Sequence, residues 1–86
     1  MKSGKFKIGS KAGLHIQPIQ AFTDAMSEYP AEITVKYRGR EYDGKSMLHL
    51  MSARIPYGGE ITVECNGKSE DDMFSAASKM FEGGEM

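Results

Sequence analysis

Two stretches, Glu32–Tyr37 and Glu60–Cys65, alternate polar and apolar residues without interruption. A period of two puts Ile33, Val35 and Tyr37 on one side of the first strand, and Ile61, Val63 and Cys65 on one side of the second. A sheet that is apolar on one side needs a second layer against that side. The chain supplies one. Ile19, Phe22 and Met26 fall at spacings of three and four, and Met73, Phe74, Ala77 and Phe81 form a similar stripe. Each set makes one apolar face of a helix.

Local signals divide the remainder. Phe6-Lys7-Ile8 reads as a short strand after a polar start, and Gly9–Gly13 as a turn. Pro18 suits the first turn of a helix, where its missing N–H is not needed. That helix is predicted over residues 16–28, with Tyr29-Pro30 ending it. Arg38-Gly39-Arg40 is a hairpin turn, and Glu41-Tyr42-Asp43 the return strand. Ser46 is placed to cap a short helix, Met47–Ala53. Pro56–Gly59 is a loop and Asn66-Gly67 a turn. Ser69 is expected to cap the last helix, whose first turn holds Asp71 and Asp72. Gly83-Gly84 should stop that helix, and the last few residues should fray. The order β-α-β-β-α-β-α predicts an α+β fold: a four-stranded, mainly antiparallel sheet with three helices on one face. Without an internal repeat or linker, residues 1–86 read as one domain.

Composition narrows function. The net charge of −1 hides an asymmetry, +4 over residues 1–54 and −5 over residues 55–86. Bulk nucleic-acid binding is disfavoured by that balance. An RNA-binding module is disfavoured as well, because Ile61–Cys65 shows no exposed aromatic for base stacking. Cys65 is the only cysteine, so there is no intrachain disulfide and no Cys-rich metal site. Its parity with Ile61 and Val63 makes it a core thiol. No apolar run approaches the length of a membrane span, and a soluble cytoplasmic protein without direct membrane insertion is expected.

Gly39-Arg-Glu-Tyr-Asp-Gly44-Lys45-Ser46 matches the pattern of a nucleotide-binding loop. The context argues against it. The helix after Ser46 is barely two turns long, and Arg40–Tyr42 make a hairpin arm rather than a loop of small residues.

The chemistry-bearing stretch is Ala12-Gly13-Leu14-His15-Ile16-Gln17-Pro18. A histidine at a helix start has two readings. It satisfies its own backbone by ordinary hydrogen bonding, or it is a nucleophile that carries a phosphoryl group on a ring nitrogen. Imidazole titrates near neutrality, so its unprotonated form is available. Free N–H groups at a helix start, here near Ile16 and Gln17, stabilise an attached phosphate.

Gly13-Leu14-His15 with Pro18, then Gly44-Lys45-Ser46, Gly59-Glu60-Ile61, and Asn66-Gly67 before an acidic helix start occur in order along the chain. Together they resemble HPr, the histidine-containing phosphocarrier family of the bacterial phosphoenolpyruvate-dependent sugar phosphotransferase system. The resemblance implies an open-faced β-sandwich. It implies that His15 accepts a phosphoryl group from enzyme I and passes it to a sugar-specific enzyme II subunit, with Ile16 and Gln17 stabilising the phosphate. The chain would then be a transferase component rather than a free-standing enzyme, monomeric, and in need of no cofactor or metal. Gln20, Met47, Leu48 and Met51 are implied as partner contacts. Methionine suits a surface that accepts several partners.

One position departs from the family. Gln17 stands where the family usually carries arginine. A glutamine keeps a hydrogen bond and loses a permanent, forked charge, a loss on the order of 1–3 kcal/mol. Gln20 and Asp24 further reduce the basic character of the first helix. That departure keeps a second reading open: a regulatory binding module of the same fold. In that reading Ser46 is phosphorylated by an HPr kinase/phosphorylase and the chain docks a catabolite-control regulator. His49 has no motif support and reads as a surface residue.

Overall fold

The computed structural model describes residues 1–83 and 86. In chain order the elements are β1 (Lys2–Lys7), α1 (Ile16–Met26), β2 (Glu32–Tyr37), β3 (Arg40–Asp43), α2 (Met47–Ala53), β4 (Glu60–Asn66) and α3 (Glu70–Glu82). The expected order is therefore observed. The strands form one sheet in the order β1-β4-β2-β3. All three pairings are antiparallel.

The alternation sets the register. Phe6 lies opposite Ile61, Val63 opposite Val35, and Cys65 opposite Ile33. Ile33, Val35, Ile61, Val63 and Cys65 are all buried. On the other face Lys36 reaches Glu64 at 3.0 Å. The Glu64 hydrogen bond, and then its charge, raise the Lys36 ammonium above its ordinary range. β1 begins earlier than its apolar residues announce. Ser3, Lys5 and Lys7 are exposed, and the intervening Gly4 has no side chain to mark its inward position under Phe74.

The helices cover the apolar face. Ile19, Phe22 and Met26 of α1, and Met73, Ala77 and Phe81 of α3, are buried. Phe81 stacks on Phe6 and tilts against Phe22, each at 5.2 Å between ring centres. β1, α1 and α3 thus meet at one aromatic seam. Phe74 is only half-buried, against Phe6 at the edge of that seam.

Other details also differ from expectation. α1 stops at Met26, not at residue 28. Ser27 turns its hydroxyl onto Thr23 O at 2.7 Å, and the next two N–H groups bond three residues back. That tighter turn ends the α-helix. Ser69 does not cap α3 with its side chain: it has φ +67, and Glu70 Oε1 instead accepts the Gly67 N–H at 3.1 Å. The expected fraying does not hold at Met86, which is buried and whose main-chain oxygen accepts from Gly9 and Ser10. Gly83 follows α3 and bonds back to Lys79 O at 3.0 Å, whereas Gly84 lies outside the described residues.

Glu70 also receives the Met1 ammonium at 2.6 Å. That ion pair, then the Gly67 N–H, hold its carboxyl below the ordinary 4.5. A depressed carboxyl contributes stability above its unfolded value and loses it as pH falls through the folded value. The stabilisation that the Glu70 carboxylate contributes is therefore lost in acid.

Burial pushes the Cys65 thiol up to about 11, with a smaller push from Glu70. The thiolate is the reactive species. At neutral pH the native chain should stay unmodified by iodoacetamide while the urea-unfolded chain alkylates fully, as read by intact mass. Modification of the native chain at the unfolded rate would show that Cys65 is not held in the core.

Candidate functional site

His15 is placed by the residues before it. Gly13 has φ +78, and a Cβ there would stand 2.8 Å from the main-chain oxygen of Ile55. The next residue, Leu14, is buried and donates its N–H to that oxygen at 2.9 Å. The chain is thus pinned against the loop after α2 one residue before His15. His15 is the N-cap of α1, extended at φ −116, ψ −175.

The ring is half-buried, with Nδ1 2.9 Å from Gly13 O. A carbonyl only accepts, so Nδ1 carries the hydrogen and the lone pair of the neutral ring is on Nε2. The side chain does not cap its own helix. The first intrahelical bond runs from Ile19 N–H to His15 O at 3.0 Å. The N–H groups of Ile16 and Gln17 precede it, and Pro18 has none. Both remain open donors at the positive end of the helix.

An open cavity of about 630 Å³ lies beside the ring. Ser10, Lys11, His15, Gln17, Met80 and Met86 line it. Lys11 is the cation of this lining, and among the described residues no Asp or Glu side chain belongs to it. The site therefore offers an anion two main-chain donors, the Gln17 amide and one ammonium. Sequence reasoning missed Lys11, which reads as a turn residue four positions before the histidine. Met86 had no local signal, because only folding brings it there.

Ser46 is the N-cap of α2, and its Oγ accepts the His49 N–H at 3.2 Å, as expected. Of the α2 residues, Leu50 is buried and Met47 packs partly against the core. Leu48 and Met51 face solvent, 77% and 38% exposed. Gln20 and Ile16 are exposed on α1, which packs against α2. The sequence-predicted contacts thus occupy two adjoining helices. His49 is exposed, as expected, yet it has a structural partner: its Nδ1 accepts the Asp43 N–H at 3.1 Å.

The nucleotide-loop pattern is used for packing. Gly44 lies against β2, where a Cβ would come within 2.7 Å of Ile33 Cγ2. Lys45 donates its ammonium to Tyr29 O at 2.6 Å, beyond the end of α1. Gly39 sits in the β2–β3 turn. Among the described residues no cluster of His, Cys, Asp and Glu is placed to hold a metal, and no helix is long and apolar enough to cross a membrane.

Comparison with known proteins agrees with this geometry. The family described as the PTS HPr component phosphorylation site matches residues 2–83. Among solved structures, HPr-C-His from Thermoanaerobacter tengcongensis superposes with a TM-score of 0.94 at 25% identity, covering 99% of this chain and 96% of its own. The histidine-containing phosphocarrier protein of a Mycoplasma gives 0.92 at 23% identity, covering 99% and 98%. The catabolite-repression protein Crh of Bacillus subtilis, described as a swapped dimer, gives 0.78 at 21% identity, covering 100% and 99%. At those lower identities the last two speak for the fold.

Gly13→Ala should test how the histidine is placed. Positive φ and the approach to Ile55 together should cost about 1–3 kcal/mol. The urea midpoint should fall, and the His15 ring resonances should move in NMR spectra. An unchanged midpoint would mean that the contact with Ile55 does not position the site.

Proposed function

The chain belongs to the HPr family of phosphocarriers of the sugar phosphotransferase system, and from that premise we propose that His15 is its phosphoryl acceptor, loaded by enzyme I and unloaded by a sugar-specific enzyme II subunit. One observation carries the reading. His15 is half-buried at the start of α1, its ring is oriented by Gly13 O, and it opens into a cavity lined by the Lys11 ammonium and, among the described residues, by no Asp or Glu side chain.

The unprotonated ring nitrogen attacks phosphorus as the bond to the donor group of phosphorylated enzyme I breaks in line. The phosphoryl oxygens then lie near the Ile16 and Gln17 N–H groups, which need no reorganisation to receive them. Lys11 supplies charge that Gln17 lacks. The group is handed on when an acceptor of the enzyme II subunit attacks phosphorus and the bond to His15 breaks, returning the lone pair to the ring. Positioning and electrostatics suffice, because the phosphoryl group arrives activated. Leu48 and Met51, with Gln20 and Met47 beside them, form the face on which both partners dock.

A second reading is favoured by Gln17 and by Ser46. The Ser46 hydroxyl oxygen already receives an N–H at the start of α2. A phosphate there would keep such donors and place a dianion next to the exposed Leu48. In this reading an HPr kinase/phosphorylase acts on Ser46, and the product exchanges phosphotransferase partners for a catabolite-control regulator.

The test is phosphorylation of the purified chain by phosphoenolpyruvate and enzyme I. One acid-labile phosphate is expected, absent from His15→Ala, with phosphorus NMR assigning the ring nitrogen. Gln17→Arg should speed transfer roughly tenfold, and Lys11→Ala should slow it roughly threefold or more. No transfer to a folded chain, with an active control, would sink the carrier reading. Ser46→Asp should lower the transfer rate severalfold without lowering the melting temperature. An unchanged rate would remove the regulatory role of charge at Ser46.

A further inference from the structure

Every arginine of this chain lies at one end of the molecule. There are three, Arg38, Arg40 and Arg54. Together with Tyr37, Tyr42 and Pro56 they line one open groove between the β2–β3 turn and the end of α2. A second groove shares Tyr37, Arg38 and Pro56, and adds Tyr57 and Glu60. Glu60 is the one carboxylate of this second lining, and the first has none. Among the described residues no arginine is within salt-bridge distance of a carboxylate. The Arg38 guanidinium lies 5.6 Å from the centre of the Tyr37 ring.

Two of these arginines occupy backbone positions better suited to glycine. Arg38 has φ +50 and Arg54 has φ +51. The left-handed region disfavours a residue with a Cβ, so each guanidinium is displayed from a strained main chain.

The cluster continues the exposed face of α2. Met51 is exposed on α2, and Arg54 follows three residues later as the C-cap of that helix. Ser52 and Ala53 of the same helix line the first groove. Along the chain, the exposed Met51 is followed directly by Ser52, Ala53 and Arg54 of this groove. On α1, by contrast, Gln17, Gln20 and Asp24 supply no positive charge.

We propose that Arg38, Arg40 and Arg54 form the charged half of a protein-docking surface that begins at Leu48 and Met51, and that its occupant is an acidic, partly apolar segment of a partner protein. Guanidinium forks pair with carboxylates, and the tyrosine faces give the segment a flat apolar bed. A small anion would be held in an enclosed pocket, whereas these grooves are open and all three arginines exposed. Nucleic acid would need a continuous basic track, which the chain's net charge of −1 and its acidic second half do not provide. The proposal deepens the carrier reading by naming the chemistry of its partner, but it does not require His15 to be phosphorylated.

A synthetic helical peptide with a leucine face edged by glutamates is the probe, titrated into the labelled full chain while backbone amides are followed by NMR. Shifts are expected at residues 37–40 and 52–57 together with 47–51, and should weaken in high salt. The variant R38N/R40Q/R54G should bind about tenfold more weakly. Asparagine and glycine suit the left-handed positions, so its melting temperature should not fall. Three results would overturn the proposal: no peptide binding, equal binding by the variant, or identical shifts from inorganic phosphate or polyuridylate at lower concentration. Transfer from enzyme I, run in parallel, separates the two ideas. Peptide binding without transfer retires the carrier reading alone, and transfer with peptide binding untouched in the variant retires the docking surface alone.

Discussion

The structure depends on the register of β4. It is the only strand with a neighbour on each side that joins β1 to the β2–β3 hairpin, so its period of two governs three strands at once. Ile61, Val63 and Cys65 are buried, each at 1% exposure or less, while Thr62 and Glu64 keep the outer face. A slip of one residue would turn the buried set outward and bring Glu64 under the helices. The Lys36–Glu64 pair and the buried Cys65 thiol are the two faces of this one constraint.

The sheet positions His15 indirectly. β4 is entered from the loop that follows α2, and the main chain of that loop at Ile55 receives Leu14 N–H. Gly13 allows the close approach, and His15 then falls at the start of α1 with its ring turned to Gly13 O. The placement of His15 is thus a contact between two loops, carried by main-chain groups. A side chain at residue 13 would disturb it without touching the imidazole.

Charge is distributed unusually for a surface that receives partners. Gln17 leaves the helix start with donors but without a guanidinium, and Lys11 brings an ammonium from the preceding turn. Arginine is concentrated at the far end of α2 instead. Long side chains make such exchange possible, because a charge reaches a site from several backbone positions. Forked geometry does not travel as easily, so the ammonium replaces the charge of a guanidinium and not its paired hydrogen bonds.

The sequence by itself determined the element order, the core of β2 and β4, the one-sided stripes of α1 and α3, and the Ser46 cap. Those follow from periodicity and from short-range hydrogen bonding, which act within a few residues. It also singled out His15, at the start of α1, as the candidate site. It placed α1 two residues too long, because Ser27 turning its hydroxyl onto its own helix is a local competition that apolar spacing does not register. It gave Ser69 a cap that the left-handed backbone denies. Tertiary structure alone brought Lys11 and Met86 beside His15, spent Gly44 and Lys45 on packing rather than on a nucleotide, and gathered Arg38, Arg40 and Arg54 around one groove. Met86 and His15, Lys45 and Tyr29, and Arg54 and Arg38 are separated along the chain by many positions, and their meeting depends on how two layers pack. No local pattern records it, because the free energy that brings them together comes from burying other residues.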